Sequence, residues 1–210
     1  TPFAARSADR LHRSGKEILA HLPMEPLDGS IALGEGTLMA GMARPELQAT
    51  LARDLAAVPH AVGANNHMGS RLTRAGEPMG WVMESLKRRE LFFVDSRTTA
   101  DSRGFSAARR AGLPATRRDV FLDHHRSPEA IRAQFRELVR IAKEHGTALG
   151  IGHPYPSTLS VLREELDRAR AAGIEVVPVS RLIQLRRERR LALSDDNEPS
   201  NAPTGKGGAP

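Results

Sequence analysis

The sequence predicts an α/β fold of parallel strands joined by helical crossovers, and three observations carry that prediction. Apolar runs of strand length alternate with amphipathic runs of helix length six times along the chain, the order that builds βαβ units with right-handed connections. Nearly every strand-like run ends abruptly on a polar group of reactive type. The length of 210 residues suffices for one sizeable core and hardly for two.

Taken in order, "KEILAHLPMEP" reads as a strand ending near Leu22. The connection "PMEPLDGSIALGEGTLMAGMA", from Pro23 to Ala43, is longer than the two to six residues usual between strand and helix, which marks it as a lid or binding loop. "RPELQATLARDLAAV" is a helix, with Leu47, Leu51 and Leu55 on one stripe and Pro45 in its first turn. "AVGAN" is a strand, "EPMGWVMESLKRRE" a helix, "LFFVDS" a strand, "SRGFSAARRAG" a helix closed by Gly112, and "RDVFLD" a strand. In "SPEAIRAQFRELVRIAKEHG", Ser127 caps a helix, Pro128 takes its first position and Gly146 stops it, with Ile131, Phe135, Leu138 and Ala142 on the buried face. "TALGIGH" is a strand, "STLSVLREELDRARAAG" a helix, "IEVVPV" a strand and "SRLIQLRRERRL" a final helix. The β/α domain is expected over residues 1–193, followed by "SDDNEPSNAPTGKGGAP", residues 194–210, as a polar, disordered tail.

Composition narrows the function. There is no cysteine, which excludes disulfides, thiolate zinc sites and a cysteine nucleophile and fits an oxidising compartment. No run of about 18 apolar residues spans a membrane. The net charge of +6 and pI near 10.6 permit an anionic partner. The arginines are spread over most helical segments, however, and the one dense run, "RRERR" at Arg186 to Arg190, reads as a solvated patch. With one Trp and one Tyr, the stacking platforms that read single-stranded nucleic acid are lacking. No nucleic-acid partner is expected.

The strand ends hold the chemistry: His21 with Glu25, then Asn65, Asn66 and His67, then Asp95 with Ser96, then Asp123 with His124 and His125, and last His153. In a parallel β/α fold the carboxyl ends of all strands lie on one face, so groups about a hundred residues apart converge there. Histidine, aspartate and glutamate are also the ligands of zinc and similar divalent ions. A strand-end aspartate commonly does no more than cap the next helix, and Asp123 and Ser96 admit that plainer role. His12, His60 and His145 are expected on the surface.

These segments resemble the divergent polysaccharide deacetylases, distant relatives of the metal-dependent polysaccharide deacetylases. The similarity runs through "HLPMEP", "GTLMAGM", "VGANNHMGSRLT", "LFFVDSRTTADS", "RRDVFLD", "IGHPYPSTL" and "GIEVVPVSRL", in the family's order and over nearly all of the chain to Leu182. The resemblance implies a distorted seven-stranded β/α barrel acting on an N-acetylated envelope polysaccharide, peptidoglycan or chitin-like, in the periplasm or cell envelope. It also implies a divalent metal, zinc foremost. By position, His67 matches the first histidine of the family's metal pair and His153 the late-strand histidine. Two departures stand out. Arg71 occupies the place of the second metal-pair histidine, and the strand bearing the family's paired aspartates has no counterpart after Thr1, so the chain is expected to be N-terminally truncated and without a targeting segment. The expected metal ligands are His67, His153, His21 and Asp123; Asp95 and His153 are the expected catalytic pair. Glu25, Asn66, Arg71 and Arg97 offer hydrogen bonds suited to sugar hydroxyls and N-acetyl oxygens. The expected function is metal-dependent removal of acetyl groups, and the alternative is a catalytically inactive glycan- or protein-binding envelope module.

Overall fold

Four strands form a parallel sheet in sequential order: β1 (Ile18–Met24), β2 (Ala61–Met68), β3 (Phe92–Asp95) and β4 (Ala115–Arg117). A second parallel pair, β5 (Val120–Phe121) and β6 (Gly150–Ile151), follows. This computed structural model describes residues 3–195. The α/β class with parallel strands stands. A seven-stranded barrel lacking its first strand is not confirmed: among the described residues six strands fall into sheets of four and two.

The helices are α1 (Ala4–Arg13), α2 (Arg44–Ala56), α3 (Gly76–Lys87), α4 (Gly104–Arg110), α5 (Pro128–His145), α6 (Pro156–Ala171) and α7 (Val179–Asp195). Three elements escaped the sequence reading: α1, the short β4 and a 3-10 turn at Leu72–Arg74. One expected strand is absent: residues 174–178 of "IEVVPV" form no ladder. Pro178 has no N–H to give to a sheet, and its carbonyl instead accepts from Leu182 N at 3.1 Å as α7 begins. The expected tail lies outside the described residues from residue 196 on, and α7 runs to Asp195.

Period-two alternation sorts each strand of the larger sheet. Ala20, Leu22, Met24, Ala64, Phe93 and Ala115 pack against Leu47, Leu51 and Leu55 of α2, Met79, Val82, Met83 and Leu86 of α3, and Ala107 and Ala108 of α4. On the opposite face, Leu19, Phe92 and Val94 meet Leu149 and Ile151 and are covered by Val179 and Ile183 of α7. Gly63 has room there for the Phe92 ring, because a Cβ would come within 2.4 Å of it. A separate cluster joins Val120 and Leu122 to Phe135 of α5 and Ala169 of α6.

Side chains replace ladder bonds where the two sheets part. Arg186 of α7 donates to Thr116 Oγ1 at 2.8 Å and Thr147 Oγ1 at 3.1 Å and pairs with Asp119. The run "RRERR" is therefore more than a solvated patch: Arg186 ties β4 to the approach to β6. Glu17 caps the start of α7, accepting from Ser180 N at 3.2 Å and from its hydroxyl, an acid at the positive end of a helix.

α5 follows its sequence signals. Ser127 Oγ accepts from Ala130 N at 3.2 Å, Pro128 opens the helix, and Gly146 ends it in the left-handed region with φ 74°. Ile131 and Phe135 are buried. Replacing Ser127 by alanine orphans one first-turn N–H and should cost about 1 kcal/mol, read as a Tm lowered by roughly 2–4 °C.

Candidate functional site

The carboxyl ends of β1, β2 and β3 lie side by side because the parallel registers pair His21 with Asn65, Pro23 with His67, and Asn65 with Val94. Residues paired in this way share a face of the sheet. His21, Asn65 and His67 thus stand together on the face opposite α2, α3 and α4, above the layer of Leu19, Phe92 and Val94.

A short chain of hydrogen bonds orients the rings. Asn65 Nδ2 donates to Ser96 Oγ at 3.2 Å, which turns Asn65 Oδ1 toward His21 Nδ1 at 3.0 Å. That oxygen only accepts, so His21 carries its proton on Nδ1 and offers the Nε2 lone pair. His67 Nδ1 lies 3.1 Å from that Nε2, with the rings edge to face. Both imidazoles have pKa values below the ordinary one, through desolvation first; the Asn65 hydrogen bond partly opposes this at His21. The charge of His153 also depresses both, so its ring lies within electrostatic range of them.

His153 lies just past the end of β6. Asp123, after β5, is closed to water in its side chain, and its Oδ1 accepts from His153 Nδ1 at 3.0 Å. Its Oδ2 accepts from His153 N at 2.5 Å and Thr158 Oγ1 at 2.9 Å. Burial alone raises the Asp123 pKa, but these donors and the His153 charge outweigh it, and the net shift is downward. With Nδ1–H held, His153 presents Nε2 to solvent from a side chain 43% exposed.

The other expected site residues lie elsewhere, and strand phase is the main reason. Asp95 neighbours Phe93 on the helix-facing side; its oxygens accept from Arg97 N and Phe105 N at 2.9 Å each and from the Ser102 hydroxyl. Those bonds hold the start of α4, and none reaches an imidazole. Asn66, also on that side, donates to Met68 O and accepts from Ser96 N, each at 2.8 Å. Both thereby shape the turns that leave β2 and β3, where Met68 and Arg97 are left-handed at φ 53° and 47°. Such conformations cost about 1–3 kcal/mol each and need this support. Arg71 pairs with Glu25 at 3.3 Å, while Glu25 Oε2 accepts from Ala40 N at 2.8 Å; Glu25 thus ties down the long loop after β1. Thr158 and Tyr155 were overlooked in the sequence, and Asn65 and Ser96, noted there at the strand ends, were given no role. The alternation around buried Ala64 and Phe93 was the signal for Asn65 and Ser96.

The donor set supplies part of a metal site. With bonds of about 2.0–2.1 Å, two nitrogens on one tetrahedral ion sit roughly 3.3 Å apart. The 3.1 Å between His21 Nε2 and His67 Nδ1 fits two corners of such a site. Among the described residues, no group of three or more imidazoles and carboxylates completes one. Asp123 and His153 hold each other rather than joining this pair, with His153 Nε2 left open to solvent.

The family model for the divergent polysaccharide deacetylases matches residues 1–183. The chain is 38% identical over 164 residues to the uncharacterized protein YibQ of Escherichia coli, covering 78% of this chain and 51% of that protein. It is 33% identical over 165 residues to an uncharacterized protein of Haemophilus influenzae, covering 79% and 59% respectively. It spans little more than half the length of these curated relatives. The crystal structure of the uncharacterized protein ATU2773 from Agrobacterium tumefaciens is similar at a TM-score of 0.81 and 29% identity, over 84% of this chain and 72% of that one.

Proposed function

This chain belongs to the divergent polysaccharide deacetylases, and from that premise we propose that it hydrolyses the N-acetyl groups of an envelope polysaccharide, peptidoglycan or chitin-like. The observation that carries the reading is the Asp123–His153 dyad, which lies within electrostatic range of the His21–His67 pair. Water adds to the acetyl carbon, the C–N bond breaks, and acetate leaves an amine that must gain a proton. His153 Nε2 takes the proton from water and returns it to the amine nitrogen. Asp123 fixes the ring's tautomer and stabilises the imidazolium formed between those steps. A divalent ion, zinc foremost, would polarise the acetyl carbonyl and acidify the water when bound; His21 and His67 are the residues to hold it. Their lowered pKa values favour the neutral rings that a metal requires, and an ion would take the place of the hydrogen bond between them.

The test is acetate release from N-acetylated glycan oligomers; no release from any of them removes the hydrolase reading. The metal assignment has its own readout. His67→Ala should abolish zinc uptake measured by elemental analysis, and full occupancy in that variant refutes it. Both rings titrate below the ordinary pH 6.5, so the stability they contribute is complete above that value. It is lost as pH falls through their folded-state values, and zinc uptake should persist somewhat below pH 6.5 before declining.

One observation favours the catalytically inactive glycan- or protein-binding module: Arg71, a cation four residues after His67, is paired with Glu25. Stoichiometric zinc together with acetate release eliminates that reading.

A further inference from the structure

His153 stands between two aromatic rings, and each carries an arginine. On one side Phe121 lies 5.6 Å from the His153 ring, and the Arg118 guanidinium sits 5.2 Å above Phe121. On the other, Tyr155 lies 5.2 Å from His153; Arg126 stacks 4.0 Å above Tyr155 and donates to its hydroxyl at 2.9 Å. Arg97 stands close enough to Arg118 to repel it.

Several arginines of this chain answer a carboxylate: Arg71 has Glu25, Arg132 has Glu164, Arg140 has Glu137 and Arg186 has Asp119. Arg97, Arg118 and Arg126 form no ion pair among the described residues. Asp123, the nearest acid to His153, is committed to the ring itself. Beside Arg118 and Phe121 a cavity of about 400 Å³ opens, lined also by His124, His125 and Gln134 and by two acids already paired, Asp119 with Arg186 and Glu137 with Arg140. A ring face for the apolar side of a sugar, a guanidinium for an anion and an amide for hydroxyls are thus gathered one ring away from the proposed acid–base group.

We propose that this rim is a subsite for an anionic sugar, so that the substrate is a glycan bearing a carboxylate on the residue next to the one that loses its acetyl group. Phe121 and Tyr155 stack on the sugar, and Arg118 and Arg126 bind the carboxylate. The position of the acetyl group relative to this subsite rests on the reading of His153 given above; the anion preference does not.

The test is calorimetric binding of three N-acetylated oligomers of equal length: a peptide-free glycan strand with lactyl-ether carboxylates, the same strand with its carboxyls reduced to alcohols, and a chitin oligomer. The acidic strand should bind about tenfold tighter than either neutral one at low salt, with the advantage shrinking as salt rises. Arg126→Gln should erase most of that advantage and Arg126→Lys should restore part of it. Arg126 is the decisive position because Arg118 also donates to Ser96 O and Arg97 O; unchanged Tm in the Arg126 variants certifies their folding. Equal affinity for acidic and reduced strands, or a preference untouched in Arg126→Gln, overturns the proposal. So does a random DNA duplex that competes as well as the acidic strand. Acid preference without acetate release from any oligomer upholds the subsite and removes the hydrolase reading. Acetate released equally from all three, with equal affinities, does the reverse.

Discussion

His153→Ala should lower acetate release by two to four orders of magnitude, roughly the range that one positioned acid–base group contributes. The ring is the cleft group whose proton-bearing nitrogen is assigned by a buried carboxylate, with Asp123 Oδ1 3.0 Å from Nδ1. Removing it leaves the Asp123 contacts with His153 N and Thr158 in place, so the fold should survive. Asp123→Asn provides the complementary result. An amide that turns its NH₂ toward Nδ1 selects the opposite tautomer, and the rate should fall while His153 remains present. Binding of the glycan oligomer in both variants, measured with Tm unchanged for His153→Ala, separates lost chemistry from lost structure. A rate within tenfold of the parent in His153→Ala refutes the assignment.

Asp95→Ala should be the most destabilising polar substitution in the chain, at about 3–5 kcal/mol. It strands three donors, Arg97 N, Phe105 N and the Ser102 hydroxyl, around a side chain in a residue only 1% exposed; each orphaned donor costs roughly 1–3 kcal/mol. It also frees the left-handed backbone at Arg97, which Asp95 Oδ1 holds from two residues back. Gly104 packs so tightly on the carboxylate that a Cβ there would lie 3.0 Å from Oδ2, so little water can enter to compensate. Thermal melts should show a Tm lowered by roughly 10 °C. Asp95→Asn, which keeps one acceptor, should lose about half as much. Were Asp95 the catalytic base instead, Asp95→Asn would melt near the parent temperature and lose its activity.

Much of this was legible in the sequence where the signal is local. α5 followed its capping serine, leading proline and closing glycine. The order of strands and helices followed from apolar runs of contrasting length. His67 and His153 stood out as imidazoles at the ends of such runs, and the charge of one is felt at the other. What failed was phase. At Asn65–Asn66 and at Asp95–Ser96 two polar residues sit side by side, and a strand sends neighbours to opposite faces. In each pair the sequence reading favoured the member that faces the helices. Ala64 and Phe93, both packed against α3 and α4, fix the phase and give the cleft to Asn65 and Ser96. The segment 174–178 misled for another reason: its β-branched residues suit a strand, but Pro178 and the helix beginning at Val179 take the chain away from β6. Arg186 was not legible at all, since its partners Thr147 and Thr116 lie 39 and 70 residues away in sequence.

That arginine bears on the cleft. His21 and His67 belong to the four-stranded sheet, His153 to the end of the two-stranded one, and the seam between them is crossed by guanidinium groups, Arg186 from α7 and Arg118 from the start of β5. A backbone ladder fixes spacing through many short bonds, and here long side chains take over most of that task. The distance between the two histidine groups is thus set by these guanidinium contacts, by the backbone bond from Arg118 N to Asp95 O at 2.9 Å and by the packing of Phe92 and Val94 on Leu149 and Ile151.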